Sequence, residues 1–153
     1  MHLSKSQPAN SHLSNPADFL MPGAAEDFLR NLKHLSKPLD LGPDRVLCRE
    51  GDQPKRFYLL KSGEAVFTVQ SDGQVVPCFA VGAGSMIGLS AILAHTPFAL
   101  TATVSPGAEV RQIDAQEFLT LIEGHTDRYM CVLRILAEET HRAHQALAEL
   151  LAS

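Results

Sequence analysis

The sequence predicts a mainly β domain with flanking helices, built as a sandwich, jelly roll or barrel, and three observations carry that expectation. Short runs of strand-forming residues recur between Pro38 and Asp114, tight-turn signals separate them at regular intervals, and amphipathic helical patterns stand on either side. The length of 153 residues sets the scale. It suits one domain able to bury roughly two-thirds of the surface its unfolded chain exposes.

Taken in order, Met1 to about Ala17 is rich in Ser, Asn and Pro with little periodicity, and residues 1–17 read as a flexible arm. A short helix is expected over about Ala24 to Leu35, where Phe28, Leu29, Leu32 and Leu35 form one apolar stripe. The strand runs follow: RVLC at 45–48, RFYLL at 56–60, AVFTV at 65–69, VVPCFAV at 75–81, LTATV at 100–104 and EVRQI at 109–113. Between them fall the turn signals GPD at 42–44, GD at 51–52, SG at 62–63, SDG at 71–73, GAG at 82–84 and SPG at 105–107. Helix returns at Ala115. Asp114 takes the N-cap place, Glu117 stands three residues later as its capping partner, and Phe118, Leu119, Leu121 and Ile122 supply apolar surface. Thr126 and Asp127 open a last long helix. The expected division is thus an arm at 1–17, a β-roll with short helices at 18–124 and a long helix at 125–153.

Along that last helix Met130, Leu133, Ala137, Thr140, His144, Leu147 and Leu151 are spaced three and four apart in alternation, a heptad seam. A second stripe of Leu136, Ala143 and Leu150 flanks it, so the helix is wide enough to face both its own domain and a partner. The pattern favours a two-chain coiled coil, hence a homodimer, over packing within one chain alone.

Composition excludes several function classes. The formal charge of −4 gives no general attraction to nucleic acid or to anionic membranes. No apolar run reaches the length of a membrane span and no secretory leader is evident at the N-terminus, so the expected location is cytoplasmic. Cys48, Cys78 and Cys131 are far apart and odd in number, which suits reduced thiols; the absence of a CxxC pair argues against a zinc or iron–sulfur site. No GxSxG, HExxH or paired-His spacing sets a nucleophile beside a base or a metal, so no enzyme is expected. Cys78 precedes the stretch from Gly84 to Val104 and His95 lies within it, but their spacing matches no haem-attachment motif, and no cofactor is expected.

Two segments resemble a known family. VLCREGDQPKRFYLLKSGEAVFTV at 46–69 is similar to the glycine, strand, Ser-Gly-Glu, strand signature of the cyclic-nucleotide-binding effector domain of Crp/Fnr regulators, and IGLSAILAHTPFALTATV at 87–104 is similar to its phosphate cassette. The resemblance covers about Ala24 to Leu151. It implies a β-roll or jelly roll of about eight short strands, a short N-terminal helix and a long C-terminal dimerisation helix. It also implies a stand-alone effector domain, since the chain ends where this family continues into a helix-turn-helix domain. The implied ligand pocket comprises Gly88, Leu89, Ser90, Leu100 and Thr101, with Ala143 and His144 of the long helix leaning over it.

That cassette departs from the family where it matters most. Nucleotide-binding members carry a Glu for the ribose at the position of Leu89 and an Arg for the cyclic phosphate at the position of Leu100. Independently of the family, no Lys or Arg occurs between Lys61 and Arg111, and a buried phosphate without a cation is costly. The expectation is therefore a non-catalytic regulatory sensor that takes a small uncharged or apolar effector, not a cyclic nucleotide, and signals through a helix-mediated homodimer. The alternative is a degenerate, ligand-free interaction module that associates with a regulator protein.

Overall fold

The computed structural model describes residues 24–152. Helix α1 (Ala24–Leu35) buries Phe28 and Leu32, but Leu29, expected in the same apolar stripe, is turned outward and 52% exposed. The strands are β1 (Lys37–Pro38), β2 (Val46–Cys48), β3 (Arg56–Ser62), β4 (Ala65–Ser71), β5 (Gln74–Val81), β6 (Met86–Ile87), β7 (Thr101–Val104) and β8 (Glu109–Asp114). Helix α2 (Leu89–Ala94) lies between β6 and β7, and α3 (Ala115–Ile122) and α4 (Thr126–Ala152) complete the chain. All strand pairs are antiparallel, in two four-stranded sheets ordered β1-β8-β3-β6 and β2-β7-β4-β5. This is the jelly roll with flanking helices that the sequence implied.

The first sheet is covered on both faces, and its period-two alternation sorts residues between two cores. Tyr58, Leu60, Ile87 and Val110 face the second sheet, where they meet Leu47, Ala65, Ala102 and Val104. Phe57 and Ile113, register partners on β3 and β8, face the helices and pack with Phe28, Leu32, Phe118, Ile122 and Val132. The Phe57 and Phe118 rings meet edge to face, with centroids 4.9 Å apart.

Local chemistry fixes the joints. Asp114 caps α3 by accepting the Glu117 N–H at 3.0 Å, as the sequence signature demands. The SDG signal becomes the β4–β5 turn, with Asp72 and Gly73 both at positive φ, the backbone that matches hairpin twist. Arg111 ties β8 to the end of α1: its Nε donates to Ser36 Oγ at 2.7 Å and its Nη2 to the Ser36 carbonyl at 2.9 Å.

Helix α4 buries Cys131 and Val132 against the helical core, with Ile135 and Leu136 half-buried beside them. The heptad seam lies mostly elsewhere on the helix. Met130 is half-buried, Ala137 and Thr140 are exposed, and Leu133 and Leu151 stand 54% and 77% exposed. Ala143, His144 and Leu147 belong to α4, but their side chains lie outside the described residues, as does the arm at 1–17.

Candidate functional site

A cavity of about 200 Å³ opens where the second sheet, the 84–100 segment and α4 converge. The hairpin of β4 and β5 supplies Phe67, Phe79 and Val81, and β2 supplies Cys48. Phe67 and Phe79 are cross-strand partners, and their rings stack with centroids 4.7 Å apart. Ser85, Met86 and Ile87 form the β6 wall, Gly88, Ser90 and Ala91 the start of α2, and Phe98, Ala99 and Leu100 the far side. Glu139 closes the cavity from α4.

Gly88 explains how the wall closes. Its φ of +93° is open to glycine, and a Cβ there would stand 2.9 Å from Phe98 Cε1. Only glycine lets the chain turn from β6 into α2 while the Phe98 ring lies against it. Helix α2 then ends at His95, itself left-handed at φ +55°.

The electrostatics are one-sided. Among the described residues, no Lys, Arg or His lines the cavity, and Glu139 is its one charged side chain. Glu139 Oε2 accepts the Met86 N–H at 2.6 Å, which joins α4 to β6 at the cavity wall. Arg111, the first cation after the 84–104 stretch, is committed to Ser36. The Cys48 thiol leans on the Leu100 carbonyl at 3.9 Å, and burial pushes its pKa up from 9.0 to about 11. It stays a protonated, weakly polar wall group.

The expected pocket residues separate. Gly88, Ser90 and Leu100 line the cavity, Leu100 half-buried. Leu89 does not: at 1% exposed it lies in the helical core with Phe57, Ile92 and Phe118. The reason is helical geometry, since the first residue of α2 points back across β6, and Ser90 takes the cavity side. Thr101 also lies off the wall, its Oγ1 accepting the Glu50 N–H at 3.0 Å. Ala143 and His144 fall outside the described side chains. Sequence reasoning missed Cys48, the Phe67–Phe79 pair and Glu139. The pair was nearly within reach, because counting outward from the SDG turn sets Phe67 opposite Cys78, and a register shift between Phe67 and Thr68 moves the pairing one residue on, to Phe79. Glu139 was not, because nothing local fixes which face of α4 meets β6.

Comparison with known proteins places this geometry. A family model described as the cyclic nucleotide-binding domain matches residues 38–125. No curated protein sequence matches. Among solved structures, a cyclic nucleotide-binding-like protein from Brucella abortus is 26% identical, with 70% of this chain and 89% of that one covered and a TM-score of 0.57. The regulatory domain of Toxoplasma gondii PKA with cAMP is 25% identical at a TM-score of 0.57, over 62% of this chain. The Catabolite Activator Protein of Thermus thermophilus is 20% identical at a TM-score of 0.62, over 90% of this chain, and shows the fold alone. This chain spans 36% of the Toxoplasma chain and 63% of the Thermus chain. With its matched segment running from Pro38, the second residue of β1, through α3, the chain belongs to the cyclic nucleotide-binding domain family.

Proposed function

We propose that this chain is a non-catalytic, cytoplasmic sensor domain of the Crp/Fnr type whose effector is a small apolar molecule and not a cyclic nucleotide, and that it signals as a homodimer through α4. The observation that carries the reading is the cavity itself. It has room for a ligand of about 200 Å³, three phenylalanine side chains in its wall, Leu100 where nucleotide-binding members carry Arg, and, among the described residues, a carboxylate and no cation. A cyclic phosphate placed there would lose its hydration and, among the described residues, gain no cation in return. A ring or short aliphatic body would instead exchange water for apolar wall, at about 25 cal/mol per Å².

The outward Leu133 and Leu151 on α4, with exposed Ala137 between them, support a second copy as the covering partner. Glu139 links the two halves of the proposal, since it stands on the dimerisation helix and borders the cavity.

The test uses N-phenyl-1-naphthylamine, an uncharged dye that brightens in apolar surroundings. It should fluoresce with the wild-type protein and not with Leu100→Trp, whose ring fills the cavity. At a hundred times its dissociation constant the dye should also add about 2.7 kcal/mol of stability, or roughly 5–10 °C in melting temperature. Fluorescence that is equal in the filled variant, or no uptake at all, would refute the effector reading and leave the ligand-free interaction module.

A further inference from the structure

We infer that the effector is aromatic: an uncharged molecule whose ring the stacked Phe67–Phe79 pair receives in preference to a saturated body of the same skeleton. The inference rests on the effector reading above and narrows it to a chemical class.

The two rings meet through a departure from regular strand pairing. Outward from the SDG turn, β4 and β5 pair residue for residue as far as Thr68 and Pro77, and the register then shifts so that Phe67 stands opposite Phe79. Cys78 is the extra residue of this bulge. Successive strand residues point to opposite faces, so in unbroken register Cys78 would share the face of Phe67 and Phe79 would point away. The bulge turns Phe79 onto the face of Phe67, and both rings line the cavity with centroids 4.7 Å apart and planes 21° from parallel. A third ring, Phe98, is held by its backbone: its N–H donates to the Asp52 carbonyl at 3.0 Å and its carbonyl accepts the Gly51 N–H at 2.8 Å.

These rings distinguish two bodies of one skeleton. An apolar cavity of about 150 Å³ takes a benzene ring, so about 200 Å³ admits a ring with a short substituent. A saturated ring gains only from the apolar area it buries. An aromatic ring gains from area and also from setting its negative faces and positive edges against those of the wall, worth about two- to tenfold in affinity for one ring pair. The saturated ring carries more hydrogens and more apolar surface, so transfer from water alone ranks it first. A preference for the aromatic ring therefore reports the phenylalanines.

The experiment compares benzyl alcohol with cyclohexylmethanol as competitors of N-phenyl-1-naphthylamine, each result corrected for the dye's own affinity in that protein. In the wild type, benzyl alcohol should displace the dye at a concentration about two- to tenfold below that of cyclohexylmethanol. In Phe79→Leu, which keeps an apolar wall and breaks the stacked pair, that preference should disappear while cyclohexylmethanol changes by about twofold or less. Should Phe79→Leu fail to fold, the wild-type order alone decides. Cyclohexylmethanol that competes as well as benzyl alcohol, or an aromatic preference that survives Phe79→Leu, overturns the inference. Dye uptake with no displacement by either alcohol overturns it too while leaving the effector pocket standing. No dye uptake removes the pocket reading and this one together.

Discussion

Leu89→Glu restores the residue type that nucleotide-binding relatives carry at that place, and the structure predicts that it damages the fold instead of repairing a site. Leu89 is 1% exposed among Phe57, Ile92 and Phe118. Losing a buried leucine costs about 2–5 kcal/mol, and a carboxyl group without a partner adds its own desolvation. Against a typical total of about 5–15 kcal/mol the variant keeps little stability. Its pH dependence gives the decisive sign. Burial raises the folded-state pKa of the new glutamate above the unfolded value of about 4.3, so above that pH the unfolded chain binds fewer protons than the folded one. Stability then falls as pH rises, by about 1.4 kcal/mol per unit, until the folded pKa is passed. Urea unfolding followed by circular dichroism should show the deficit relative to wild type widening by up to about 2.7 kcal/mol from pH 5 to pH 7. Leu100→Arg, on the half-buried cavity wall, should cost less than about 1.5 kcal/mol, because the side chain can reach water. A Leu89→Glu variant within about 1 kcal/mol of wild type at both pH values would refute the placement of Leu89 in the core.

Three further outcomes follow from the same structure. Gly63→Ala should lower stability by about 2 kcal/mol or more in thermal melts, because Gly63 has φ +94° and the new Cβ would stand 2.7 Å from Ala108 Cβ. Iodoacetamide near neutral pH should label the partly exposed Cys78 before the buried Cys48 and Cys131, read by peptide mass spectrometry; and because burial raises Cys48 from 9.0 to about 11, its contribution to stability should be intact below about pH 9 and lost as pH rises toward 11, a loss that Cys48→Ala removes. The proposed homodimer requires that Leu133→Glu shift sedimentation from dimer to monomer with the circular dichroism spectrum of the fold retained, since Leu133 is already 54% exposed in one chain; a wild type that sediments as a monomer would refute the dimer.

Most of the architecture was legible because strands, turns and caps announce themselves locally. The six strand runs, the SDG hairpin, the Asp114 cap and the Ala24–Leu35 helix each stand where the residues placed them. The elements that escaped are short. Lys37–Pro38 and Met86–Ile87 are two-residue strands with no period to read, and both are held by longer neighbours, β8 and β3. Helix α2 escaped because Gly88 begins it with no side-chain cap and its six residues hold mostly apolar side chains needed on two faces. The site was half legible for a related reason. The missing cation could be counted along the chain, and Leu100 was assigned through its place before the Thr-Ala pair. The direction of Leu89, by contrast, depends on where α2 starts, and the arrival of Glu139 depends on how α4 docks. Both are tertiary facts, and the second reverses the impression of an uncharged pocket: among the described residues, the charge on its wall comes from the helix.

The proposed sensor keeps the fold of the cyclic nucleotide-binding domain family but rejects cyclic nucleotides. Isothermal titration of the purified protein with cyclic AMP, and separately with cyclic GMP, tests it most directly. The structure predicts no saturable heat up to about millimolar concentration, a free energy short of about −4 kcal/mol. Saturable binding at micromolar concentration, about −8 kcal/mol, would contradict it and require a cation to reach the cavity beside Leu100.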